Sequence, residues 1–153
     1  MSDIEQIVTV NRKARHDYAI TEKFEAGISL LGSEVKAMRE GRANLKDSYA
    51  AIEGNRVVLR NCHISPYAPA GPHNQHEPER PRPLLLHRRQ IDKLRGKIVE
   101  RGFTLVPLRI YFRGGWAKVE LGLGKGKRAY DKRESKKKAE VKREIDQELR
   151  RRR

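Results

Sequence analysis

Cysteine is almost absent from this sequence. The one residue, Cys62, excludes an intramolecular disulfide framework. Long apolar runs are missing too, and none approaches the length that spans a bilayer. The opening MSDIEQIV has neither the basic start nor the apolar run of a secretory signal, so an intracellular protein is expected. Proline is scarce except in one place: all but one of the seven prolines lie in residues 66–83. Acidic residues are in deficit, with 20 Asp and Glu against 35 Lys and Arg, a net charge of +15.

A field this positive favours a polyanionic partner, and with no membrane segment the first candidate is a nucleic acid. The excess is uneven. Residues 124–153 hold 14 basic against 6 acidic residues, net +8, and the other 123 hold 21 against 14, net +7. The length suits one domain with an appendage. We place the domain at 1–123 and a basic tail at 124–153.

Hydrophobic periodicity gives the element order. IEQIVTV (4–10) reads as an extended entry, and residues 18–30 alternate as a strand. In that strand Tyr18, Ile20, Phe24, Ala26, Ile28 and Leu30 share one side, with Glu22 as a charged exception. A short helix is expected at 33–40, capped by Ser33 with an incomplete capping box. Residues 48–54 and 55–64 read as a hairpin turning at Gly54-Asn55. The proline-rich 66–83 can be neither helix nor central strand and is read as a long irregular loop. Residues 84–102 carry a helical stripe of Ile91, Leu94, Ile98 and Val99, stopped by Gly102. A second hairpin spans 103–124, and Pro107 there demands an edge or a bulge. Short antiparallel strands with few helices predict a mainly β fold, a small antiparallel oligonucleotide-binding-like barrel with flanking helices.

No motif points to catalysis or to a cofactor. GLGKGK (122–127) matches neither phosphate-loop pattern and reads as a flexible hinge. His73 and His76 have a chelate-like spacing but no thiolate to complete a ligand set, so they read as solvated loop residues. Cys62 and His63 are neighbours on a strand and face opposite ways, a poor nucleophile–base pair. Binding residues are easier to nominate. Arg12, Lys13, Arg15 and His16 precede Tyr18, and Lys36, Arg39 and Arg42 lie on or just after the short helix. Such groups fit phosphate contacts with an aromatic ring able to stack on a base, and they equally fit a solvated basic surface. Glu25 runs against the charge trend; a carboxylate can accept from a base amine or hold a nearby cation.

NRKARHDY, FEAGISLLGSEVKAMREGRANLKDSYA, LLLHRRQIDKL and WAKVELGLGKGKRAYDKR resemble, in order, the pattern of the small protein B family. These are the bacterial tmRNA-binding (SsrA-binding) proteins of trans-translation. The resemblance implies an RNA-binding cytoplasmic adaptor, not an enzyme, that binds the tRNA-like domain of tmRNA in place of its missing anticodon arm. With alanyl-tmRNA and elongation factor Tu carrying GTP, it would enter the A site of a stalled 70S ribosome, leading to tagging of the nascent peptide and release of the ribosome. The family's tmRNA contacts fall here on Glu25, Leu85 and Lys118, with Asn11, Arg12 and Lys13 also at the RNA. Lys125, Lys127, Arg128, Tyr130, Asp131, Lys132 and Arg133 correspond to the segment that meets the decoding centre, and the rest of the tail to the empty mRNA channel. Two rivals are a structural ribosomal or general rRNA-binding protein and an RNA-processing enzyme, the latter needing an acid–base pair that the sequence does not offer.

From Asp131 onward there is no Pro or Gly, and good helix formers dominate. Glu134–Lys138, Asp146–Arg150 and Glu148–Arg152 are acid-before-base pairs, opposed by the like pair Glu140–Glu144. Val141, Ile145 and Leu149 form one thin aliphatic line, too little to offset the ordering entropy. The tail should be disordered when free and helical when bound.

Overall fold

The computed structural model describes residues 4–127 and 129–151, with side chains in the last stretch described over 139–150. The strands are β1 (Glu5–Val10), β2 (Tyr18–Ile28), β3 (Ala43–Asn44), β4 (Tyr49–Glu53), β5 (Arg56–Arg60), β6 (His63–Ile64), β7 (Arg82–Leu85), β8 (Thr104–Arg113) and β9 (Trp116–Gly126). The helices are α1 (Ala14–Asp17), α2 (Gly32–Arg39), α3 (Arg88–Arg101) and α4 (Ala129–Arg151). Seven strands form one antiparallel sheet in the order β1-β8-β9-β2-β7-β5-β4, and β3 with β6 makes a small second sheet. The large sheet curls until β4, its far edge, lies against β8, although no ladder joins them among the described residues. This is the mainly β, partly closed barrel with a C-terminal helix that the pattern predicts. Its interior is filled by Ala26, Ile28, Val57, Leu59, Ile110, Val119, Leu121 and Leu123, with Met38 of α2 and Leu94 of α3 closing over it.

The β2 pattern is not a single alternation. A bulge between Ile20 and Glu22 adds one residue and shifts the phase. Phe24, Ala26 and Ile28 point inward, as expected, but Tyr18 and Ile20 fall on the opposite face of the sheet. There they form a second small cluster with Ala14, Val106 and Leu108. Pro107 sits beside a bulge at Leu108, between two paired strands rather than at an edge. Asn11 takes up the carbonyls freed there: its backbone N–H donates to Leu108 O at 2.8 Å and its side-chain amide to Pro107 O at 2.9 Å.

GLGKGK is strand rather than hinge. Gly122, Gly124 and Gly126 all belong to β9, paired with β2, so the boundary at 123/124 falls inside an element. The glycines occupy every second position, hence one face, and that face is crowded at Gly122 and Gly124. A Cβ on Gly122 would stand 3.0 Å from both Ile20 and Leu108, and one on Gly124 would stand 2.5 Å from Ala19 O. They are there for close approach.

The 55–64 strand breaks at Asn61, whose φ of 61° turns the chain from β5 into β6. Helix 84–102 begins later than expected, because Leu84 and Leu85 belong to β7, and it ends as expected at left-handed Gly102. β7 is central and contains Pro83. The sequence reading excluded a central strand there. The missing donor is replaced: Ser29 N–H donates to Pro83 O at 3.0 Å, and Ser29 O, which Pro83 cannot serve, accepts from Arg80 at 3.2 Å.

The rest of 66–83 is irregular, with one 3₁₀ turn at Ala68–Ala70, yet it is pinned. Arg82 is fully buried; it pairs with buried Glu34 of α2 at 2.5 Å and donates to Cys62 O and Pro78 O. His76 is buried as well, contrary to the expected solvated residue. Its Nε2–H donates to Ile64 O at 2.9 Å, a pure acceptor, and its Nδ1 is hydrogen-bonded to Ser33 Oγ at 2.8 Å. Ser33 is therefore not the helix cap. Glu34 reaches back instead, accepting from Leu31 N–H at 2.7 Å.

Candidate nucleic-acid interface

Strand register decides which side chains share the outer face. Tyr111 of β8 pairs with Lys118 of β9, Lys118 with Gly27 of β2, and Gly27 with Leu85 of β7. The adjacent row runs Arg109, Glu120, Glu25. Glu25, Leu85 and Lys118, from three separate segments of sequence, thus meet around Gly27. Gly27 has no side chain, and Leu85 leans over it: a Cβ there would stand 3.3 Å from Leu85 Cβ. Leu85 is 63% exposed and gives the face an apolar surface.

The sequence reading did not single out Arg109, Tyr111, Arg113, Trp116 or Glu120, which lie on the same face. The signal was present as alternation, since RIYFR and WAKVE each put every second residue on one side. Tyr111 is only 1% exposed although it points outward. The guanidinium carbons of Arg109 and Arg113 lie over its ring, 4.2 and 5.4 Å from the centroid. Glu5 bonds both arginines, at 2.7 and 2.6 Å, and Arg109 also bonds Glu120. Those two bonds, from Arg109 first and then Arg113, hold the Glu5 carboxyl at about 2, well under its ordinary 4.5. The Tyr111 hydroxyl donates to Glu25, which also pairs with Arg113 at 2.8 Å. Burial first, and then this bond, raise the Tyr111 pKa well above 10, so the ring stays a neutral donor. Lys23 pairs with Glu120 at 3.5 Å. Among the described residues Lys118 alone of the four basic residues of this face has no ion-pair partner.

A second group lies at the other end of β2 and β9, nine residues from Gly27 along β2, or about 30 Å at strand rise. Arg12, Lys13 and Arg15 are exposed here beside α1. Arg12 and Lys13 line an open groove of about 520 Å³ whose other wall includes Lys46 and Tyr49. Asn11 is half-buried in the bulge bonds described above. Lys125 lies 4.8 Å from the Phe103 ring centroid, and the Lys127 amine donates to Arg15 O at 2.7 Å. Lys127 N–H also bonds Asp17 O, which fixes the root of α4 beside α1. Arg128, and the side chains of Tyr130, Asp131, Lys132 and Arg133, lie outside the described residues. Lys36 belongs to neither group: it stands on α2, 6.0 Å from the Tyr67 ring centroid.

The two groups differ electrostatically. The sheet face balances Lys23, Arg109, Arg113 and Lys118 against Glu5, Glu25 and Glu120, whereas the α1 end is dominated by Arg12, Lys13, Arg15, Lys125 and Lys127. A near-neutral, hydrogen-bonding face suits base or sugar contacts, and a cationic end suits phosphates. Cys62 is fully buried, and burial pushes its thiol up to about 11, which removes it as a nucleophile at neutral pH. No group of three or more metal-ligating side chains occurs among the described residues, and no helix there is long and apolar enough to cross a membrane.

Residues 8–151 match the family described as SmpB protein. The SsrA-binding protein of Carboxydothermus hydrogenoformans is 56% identical over 147 residues, covering 96% of this chain and 98% of that protein. The SsrA-binding protein of Syntrophobacter fumaroxidans is 57% identical over 148 residues, 97% of this chain and 91% of that one. A solved structure described as "tmRNA-SmpB: a journey to the center of the bacterial ribosome" contains a chain 48% identical, with a TM-score of 0.65 over 79% of this chain and 85% of that chain.

Proposed function

The chain belongs to the SmpB protein family, and from that premise we propose that it is a cytoplasmic, non-catalytic RNA-binding adaptor of ribosome rescue. It binds the tRNA-like domain of tmRNA and accompanies alanyl-tmRNA, with elongation factor Tu, into the A site of a stalled ribosome. One observation carries this reading: Glu25, Leu85 and Lys118 meet on three adjacent strands around Gly27. That row offers an acceptor, an apolar surface and a cation within one RNA-sized patch. Arg12, Lys13 and Arg15 contribute phosphate contacts from the α1 end, and Asn11 shapes the turn that presents them.

The labour is divided between barrel and tail, with the boundary after Gly126, where β9 ends. The barrel recognises tmRNA. The tail, from Lys127, occupies the decoding centre and the empty mRNA channel, for which its net positive charge suits it. Deleting 131–153 should leave tmRNA affinity nearly unchanged and abolish peptide tagging on stalled ribosomes. Equal loss of both activities would contradict the division. Stoichiometric retention of the protein on salt-washed, non-stalled ribosomes would favour a structural ribosomal protein instead.

A further inference from the structure

The carboxylate of Glu25 is not left to find its own orientation. One oxygen, Oε2, accepts from the Tyr111 hydroxyl and pairs with Arg113 at 2.8 Å. Among the described residues the other oxygen, Oε1, takes no hydrogen bond. Tyr111 is itself immobilised, under the guanidiniums of Arg109 and Arg113, and Glu5 fixes both of those. A rigid chain of contacts therefore ends in one open carboxylate oxygen on the RNA-sized face beside Gly27.

We propose that Tyr111 is a positioning residue for RNA recognition: it clamps Glu25 Oε2 so that Oε1 faces outward to accept from a base edge bearing an amino donor, that of guanine, cytosine or adenine. This rests on the reading of the chain as a tmRNA-binding protein. An ionised carboxylate only accepts, so it selects bases whose exposed edge donates and repels phosphate. Without the hydroxyl, Glu25 keeps the Arg113 contact alone and its carboxylate can rotate about it. Holding it in advance removes part of the ordering cost from the binding step. Tyr111 has too little exposed surface to touch RNA itself, so its effect passes through Glu25.

The test is a double-mutant cycle on the full chain, with a transcript of the tRNA-like domain of tmRNA as the probe and bulk tRNA as the competitor. Tyr111→Phe keeps the ring and its stacked arginines and removes only the hydroxyl. It should weaken binding roughly tenfold, the worth of a charge-assisted hydrogen bond. It should do so without changing the salt dependence, since no phosphate contact is lost. Combined with Glu25→Ala it should add little to the loss from Glu25→Ala alone. Its weak binding to bulk tRNA should be unaltered. Wild-type affinity in Tyr111→Phe, or a loss that adds in full to that of Glu25→Ala, overturns the proposal alone. A wild-type chain that prefers the transcript no more than bulk tRNA overturns the functional reading and this proposal with it.

Discussion

Arg82 donates through Nε to the Glu34 carboxylate at 2.5 Å, and neither side chain has any exposed surface. The pair ties the end of the proline-rich loop to α2. Burial opposes ionisation of Glu34, but the bonds from Arg80, Leu31 N–H and Arg82 outweigh it and lower its pKa. Removing Arg82 leaves buried Glu34 with Arg80 as its one counter-charge among the described residues and strips a donor from Cys62 O and Pro78 O. Arg82→Met should therefore cost about 3–5 kcal/mol in urea unfolding, the usual range for a broken buried pair. Glu34→Gln/Arg82→Met should cost less than the sum of its parts, though not nothing, because Cys62 O and Pro78 O still lose a donor.

Gly124 and Gly126 give a sharp contrast within one strand. A Cβ on Gly124 would strike the backbone oxygen of Ala19, while one on Gly126 meets nothing within 4 Å. Gly124→Ala should lower stability by about 1–3 kcal/mol, as overpacking does, and Gly126→Ala should change it little. Thermal unfolding of the two variants side by side measures this. A flexible hinge at GLGKGK would tolerate both equally.

Acid should loosen the outer face. The Glu5 carboxyl is held at about 2 in the folded chain against an ordinary 4.5. A depressed folded pKa means that the stabilisation is fully present above 4.5 and fades as pH falls from 4.5 towards 2. Stability from chemical denaturation at several pH values should fall across that window. Glu5→Gln should flatten the fall: it should be less stable than the wild type by a constant amount from pH 5 to 8 and approach it as pH falls towards 2.

The tail helix has little packing to support it. Over 139–150 every residue of α4 is exposed, the aliphatic line Val141, Ile145 and Leu149 included, at about half of its surface. Circular dichroism of a peptide covering 130–153 should show mostly coil in dilute buffer and gain helix on addition of RNA. High helicity in buffer alone would mean that α4 is preformed and docks as a rigid rod.

Much of this protein was open to reading in its sequence. Periodicity placed β2, α2, α3 and the β8–β9 hairpin, because amphipathic repeats of two and of three to four residues leave different marks. Charge pointed to a polyanion, and the ordered match of long blocks pointed to the small protein B family. The misreadings share a cause: each depended on a distant partner. Pro83 sits in a central strand because Arg80 supplies the bond proline cannot, and His76 is buried because Ser33 and Ile64 receive it.

Sequence by itself determined that the chain is a basic, mainly β protein suited to a polyanion, with a helix-forming tail. These are properties of composition and local pattern, and they need no neighbour. Only the tertiary structure decided that β9 keeps Gly122 and Gly124 for close approach and that a bulge turns Tyr18 and Ile20 to the far face. It also decided that Glu25, Leu85 and Lys118 share one patch with Tyr111 beneath its arginines. Register between strands far apart in the chain sets which residues meet, and a shift of one residue would send each to the opposite face.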